Sequence, residues 1–223
     1  MTSAPFDKSA GRASRLPWLL AAADALFAVA YLASRWWLEP SGYLARNLDL
    51  NAEQSLTTWY ASSKLLLASW IAFEAASTSG EGEARGRSWS LLALPALLLA
   101  LSVDEAIGVH ERAGVLMDWL VVDRRDTLFF RTNYWMFPCA ALLVAASVPI
   151  VRSLAARSPQ VARLVWVGVA LLIAGGGVVE ALQNFLERDT PLHWLQIAVE
   201  ETLENAAGTV LVAAALKLSR AKT

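Results

Sequence analysis

Charge is scarce in this 223-residue chain: Asp, Glu, Lys and Arg make up 17% of it, and the formal net charge is −1. Soluble globular chains carry about 25% charged residues, and a nucleic-acid binder needs a clearly basic surface. Neither class fits. A single cysteine, Cys139, excludes an internal disulfide; it lies in an apolar run and reads as a small core or lipid-facing residue. Only two histidines, His110 and His193, are present. A three-histidine zinc site is therefore unavailable. This weakens any likeness to membrane hydrolases built on Ser, Asp and three His, despite Ser102 and Asp104.

What the chain has in abundance is apolar sequence. It is 56% hydrophobic, with a mean hydropathy of +0.42. The apolar residues come in blocks, and a spanning helix needs roughly 20 of them to cross a ~30 Å hydrocarbon core. Six blocks qualify, at 16–38, 55–77, 88–111, 132–154, 161–187 and 193–218. The expected fold is all-α: a polytopic membrane bundle of about six transmembrane helices over 16–218, with disordered tails at 1–15 and 219–223. Trp18, Trp36, Trp37, Trp59, Trp89, Trp135 and Trp194 sit near block ends, where an indole favours the headgroup level. The first block follows Arg12 and Arg15 and resembles a signal peptide, with Ala28-Val29-Ala30 as a mock cleavage site. Asp24 within it argues for an uncleaved span. The segment 78–87 is a polar, glycine-rich loop.

With an even number of spans both termini share a side. That side carries Lys8, Arg12, Arg15, Arg85, Arg87, Arg152, Arg157, Arg163, Lys217, Arg220 and Lys222, against Arg35, Arg46, Arg112, Arg124, Arg125, Arg131 and Arg188 on the other. The positive-inside rule then places both termini in the cytoplasm of a cell membrane.

The acids carry most of the functional information. Span 3 ends in Ser102-Val103-Asp104-Glu105 and His110-Glu111, span 5 in Glu180, Gln183, Asn184 and Glu187, and span 6 begins with His193, Gln196, Glu200, Glu201 and Glu204. At 1.5 Å per residue, Asp104, Glu180 and Glu204 lie roughly 22, 27 and 21 Å from the inner boundary, one common layer below the outer surface. Glu180, Gln183, Asn184 and Glu187 share a helical stripe, as do His193, Gln196, Glu200 and Glu204, and as do Asp104 and Glu111. By the same phase Glu105 and His110 point elsewhere. A charge at this depth costs about 2.5–3.5 kcal/mol, so the stripes should face one another around a wet or metal-filled cavity. The plain alternative is that some acids, Glu111, Glu187 and Glu201 above all, are solvated at the interface. His193, beside Trp194, reads as an interfacial residue or helix start.

Carboxylates with one or two histidines on several helices form the ligand set of di-iron and di-manganese bundles, although Glu-x-x-His pairs are absent here. The leading expectation is a membrane-embedded metal-binding protein, an enzyme of oxidoreductase or hydrolase type, whose cofactor is a divalent metal (Fe, Mn or Zn). Asp104, His110, Glu180, Glu200 and Glu204 are its candidate ligands, and Glu105, Glu111, Gln183 and Asn184 surround them. The competing expectation is a proton or cation vestibule in a transporter or channel component. A third is an accessory subunit of a membrane complex, packing against unknown protein partners. Deeper in the bilayer, Asp24 and Lys64 stand at equal depth on adjacent spans and are expected to form an intramembrane ion pair; a snorkelling Lys64 is the alternative. Gly175-Gly176-Gly177 reads as a packing contact, with a hinge under the acidic site as the alternative, and Glu53 as the cap of span 2, with membership of the acidic cluster as the alternative.

Three segments carry a resemblance. They are Asp49-Leu50-Asn51-Ala52-Glu53 followed by Thr58-Trp59-Tyr60-Ala61-Ser62-Ser63, then Leu101-Ser102-Val103-Asp104-Glu105 with His110-Glu111, and Glu200-Glu201-Thr202-Leu203-Glu204 followed by Gly208. In these the chain resembles a family of small bacterial multipass membrane proteins of unassigned function, with an S-x-D-E-x4-H-E motif. The resemblance implies a shared polar centre at the outer face and brings no activity with it.

Overall fold

A computed structural model describes residues 15–39, 41–52, 55–78, 88–110, 112 and 136–221. Among these the chain is helical, without strands. The helices are α1 (Leu16–Trp37), α2 (Tyr43–Asn47), α3 (Leu56–Ser77), α4 (Ser88–Ile107), α5 (Met136–Ala155), α6 (Pro159–Ile173) and α7 (Pro191–Arg220). Past Ile173 the α6 rod continues as a π-helical stretch, Ala174–Val179, then an α turn, Glu180–Leu182, and a 3-10 turn, Gln183–Phe185.

α7 is the axis of the bundle, packing against α1, α3, α6 and the π-helical stretch. The remaining contacts run α3 to α4, α4 to α5 and α5 to α6, closing a ring of five helices with α1 outside it against α7. Ala68, Ala72, Ala75, Leu94, Leu98, Val161, Val165, Val212 and Ala215 fill the core at the end opposite the acids. Small residues let the backbones approach closely. Two hydroxyl stitches fix the α3–α4 seam. Ser62 donates to the Ser102 carbonyl at 2.8 Å and Ser102 donates back to the Ser62 carbonyl at 2.9 Å. Ser69 donates to the Pro95 carbonyl at 2.8 Å. Ser102 is therefore a structural link between helices and does not point into a site as a nucleophile would.

Among the described residues three helices, not the expected six, are long and apolar enough to cross a membrane: Leu16–Trp37, Met136–Ala155 and the rod Pro159–Leu182. α3 and α7 carry polar groups that dilute their hydropathy, and these turn inward: Lys64, Ser69 and Thr57 are buried on α3, and Gln196, Asn205 and Thr209 on α7. Many large apolar and aromatic side chains are exposed, with Trp18, Trp36, Trp37, Trp59, Trp70 and Phe137 all more than half exposed.

Several boundaries move. Ser55 caps α3, accepting from the Thr58 amide at 3.2 Å; Glu53, expected in that role, lies outside the described residues. α4 ends at Ile107, four residues short of the expected 111. Gly108 then adopts φ 59°, the left-handed conformation that a glycine reaches without a Cβ clash. α7 begins at Pro191, with Thr190 capping the His193 amide at 3.3 Å, so His193 marks a helix start and is buried there.

Candidate functional site: an acidic chamber

The helix ends of the five-membered ring enclose a cavity of about 520 Å³. Asp104, Glu105, Glu180, Glu200, Glu201 and Glu204 line it, with His110 and Gln183. No lysine or arginine is among its described lining residues. Its remaining wall is apolar, from Leu97, Leu101, Met136, Leu143, Leu172 and Ile173. Cys139 is part of this wall as well, which refines its reading as a core or lipid-facing residue.

The antiparallel arrangement of the ring explains the convergence. α4 and the α6 rod arrive at this end while α5 and α7 leave it, so the acids of α4, the rod and α7 share a level. Helical phase alone put Glu105 and His110 on other faces than Asp104. The left-handed turn at Gly108 undoes that for His110. It carries the chain back so that the His110 amide reaches Asp104 Oδ1 at 2.9 Å and its Nδ1 reaches Asp104 Oδ2 at 3.0 Å. Asp104 therefore orients the imidazole, and in the neutral tautomer with the proton on Nδ1 the Nε2 atom is the acceptor. Glu105 lines the cavity from the adjacent position.

On α7 the acids are held differently. Gln196 donates to Glu200 Oε2 at 2.5 Å and to the Val179 carbonyl at 3.2 Å, tying Glu200 to the end of the π-helical stretch. Glu204 lies against Gly175 and Gly176. Of the other candidates, Glu187 is exposed on the surface, Glu111 lies outside the described residues, and of Asn184 only the backbone is described. His193 does not line the chamber; its Nδ1 accepts from the Asp189 amide at 3.3 Å. Among the described residues no three His, Cys, Asp or Glu side chains come together closely enough to hold a metal ion. The acids are spread around the wall.

A roof that the sequence reading missed covers this end. Leu50, Asn51 and Ala52 line the chamber, and their loop is pinned on both sides. Asp49 pairs with Arg35 of α1 at 2.7 Å. On α3, Thr57 donates to the Asp49 carbonyl at 3.2 Å and Thr58 to the Ala52 carbonyl at 2.8 Å. The run of hydroxyls Ser55, Thr57 and Thr58 was the available signal, since such side chains near a helix start commonly bond neighbouring backbone. All three segments that carry the family resemblance thus contribute to one chamber.

Below the chamber, Lys64 donates to Asp24 Oδ1 at 2.6 Å and to the Asn205 carbonyl at 2.8 Å, and its ammonium lies 4.4 Å from the Tyr60 ring centroid. Asp24 also accepts from Tyr60 Oη at 2.9 Å and from Thr209 at 2.7 Å. Both charged side chains are buried. Lys64 does not snorkel, and the pair joins α1, α3 and α7.

No curated protein and no solved structure matches the chain. Residues 18–218, nearly all of the helical bundle, match a family described as a domain of unknown function, DUF8692, and to that family the chain belongs.

Proposed function

We propose that this is a multipass membrane protein of six transmembrane helices whose chamber, at the outer face, binds a cation. The observation that carries the reading is the charge imbalance of the lining: six carboxylates and an imidazole around one cavity, with no basic side chain among the described lining residues. Carboxylates gathered at this depth repel one another, and a cation or bound protons would offset that repulsion. The two less apolar helices, α3 and α7, fit a membrane setting because their buried polar groups face the bundle.

A divalent metal (Fe, Mn or Zn) is the first occupant to test. His110, oriented by Asp104, fits the arrangement in which a carboxylate fixes the imidazole that binds metal. Glu180, Glu200 and Glu204 offer oxygen donors on two other elements, spread around the wall, and would have to draw together to share one ion with His110. Metal analysis of the purified protein tests this directly: stoichiometric metal in the wild type, lost in Glu204→Ala and His110→Ala, supports a resident centre, and wild-type protein free of metal counts against it. The width of the chamber favours a second reading. Carboxylates spread around 520 Å³ suit a hydrated ion that enters and leaves, as in a transporter or channel component. Cation or proton flux into liposomes that Glu204→Gln abolishes would select it.

A further inference from the structure

Six consecutive residues of the α6 rod, Ala174–Val179, are π-helical, and three of them are glycines. π turns inside α-helices frequently occur at functional sites. None of these glycines has a positive φ, since Gly108 is the glycine so recorded among the described residues. Backbone conformation therefore does not require them, and space must be considered instead. A Cβ placed on Gly176 would stand 2.5 Å from Glu204 Oε1. One on Gly175 would stand 2.8 Å from Glu204 Cγ and 2.9 Å from the Glu200 carbonyl. One on Gly177 would meet only Ile173 Cγ2, at 3.8 Å, an ordinary contact. Two of the three glycines thus leave room for one particular side chain, and the third does not.

We infer that Gly175 and Gly176 form a backbone seat that fixes the Glu204 carboxylate at the chamber wall, with Gly176 a positioning residue for cation binding through Glu204. The inference rests on the cation-binding reading for its function and on the close approach alone for its geometry. The two glycines differ in what they would strike. An alanine at 175 meets backbone, which cannot yield without separating α6 from α7. An alanine at 176 meets the end of a flexible side chain, so the bundle keeps its packing and the carboxylate moves.

The experiment compares Gly176→Ala, Gly177→Ala and Glu204→Gln in detergent-purified full-length protein, with two readouts. Mn2+ affinity, followed by electron paramagnetic resonance, should fall at least tenfold in Gly176→Ala and in Glu204→Gln and stay unchanged in Gly177→Ala. Labelling of Glu204 by a hydrophobic carbodiimide, read by peptide mass spectrometry, should change rate at least threefold in Gly176→Ala and not in Gly177→Ala. Loss of Mn2+ binding in Glu204→Gln with wild-type binding and labelling in Gly176→Ala would overturn the seat and leave the chamber reading intact. Wild-type protein that binds no Mn2+ would sink the divalent-cation reading, while the labelling rates would still decide the seat. If Gly176→Ala does not fold, the double variant Gly176→Ala/Glu204→Ala should fold, because the colliding side chain is gone; its failure to fold would overturn the inference.

Discussion

Around Lys64 the charges are balanced: one ammonium meets one carboxylate at 2.6 Å, and hydrogen bonds from Tyr60 and Thr209 complete Asp24. Further along α3 and α7, the chamber gathers six carboxylates with no lysine or arginine among its described lining residues. α7 takes part in both regions, with the Asn205 carbonyl and the Thr209 hydroxyl at the first and three acids at the second. The first is closed, with partners for each charged atom, and its effect is to hold α1, α3 and α7 in register. In the second, no lysine or arginine stands among the described lining residues, and the proposed cation binding rests on that imbalance. Buried charge by itself is therefore no guide to function; the balance of partners is.

The comparison can be broken most forcefully at the closed end. Lys64→Met leaves Asp24 buried and uncompensated, and should destabilise the bundle by about 3–5 kcal/mol, seen as an early unfolding transition in detergent. Lys64→Met with Asp24→Leu should recover most of that loss, because apolar replacement of a buried pair is often near neutral. At the open end Glu204→Gln should do the opposite: unchanged or higher stability without cation, and at least a tenfold loss of Mn2+ affinity, about 1.4 kcal/mol. Asp104→Asn should weaken metal binding about 10–100-fold by releasing His110 from its orientation, with Glu200 and Glu204 still in place. The smallest effect belongs to the seam between them: Ser62→Ala, which cuts one stitch to Ser102, should cost about 0.6–1 kcal/mol of stability with cation affinity unchanged.

The level of the acids was legible because a carboxylate in an apolar run stands out at a cost hydrocarbon does not forgive. Counting residues from the helix ends put Asp104, Glu180 and Glu204 at one depth, and all three line the chamber. The same counting put Asp24 and Lys64 level, and they are 2.6 Å apart. Helical phase failed where the helix stopped. One left-handed glycine at 108 returns His110 to Asp104, and no periodicity argument anticipates a break at that residue. The π-helical stretch was equally hidden, since Gly175-Gly176-Gly177 reads as packing until Glu204 is found against it. The roof over the chamber depends on Arg35 and Asp49, far apart in kind from a hydrophobic pattern, and on hydroxyls bonding backbone across a turn. Six apolar blocks were counted by length, whereas α3 and α7 are amphiphilic in a bundle sense, with polar groups inward and apolar groups outward.

The proposed reading, that the chamber binds a cation, is tested most directly by thermal unfolding of the purified protein with and without Mn2+. Binding to the folded state alone stabilises it by about 2.7 kcal/mol at a concentration 100 times Kd. The account predicts a Tm that rises with Mn2+ in the wild type and does not rise in Glu204→Gln. A wild-type Tm indifferent to Mn2+ and to other divalent and monovalent cations would contradict it.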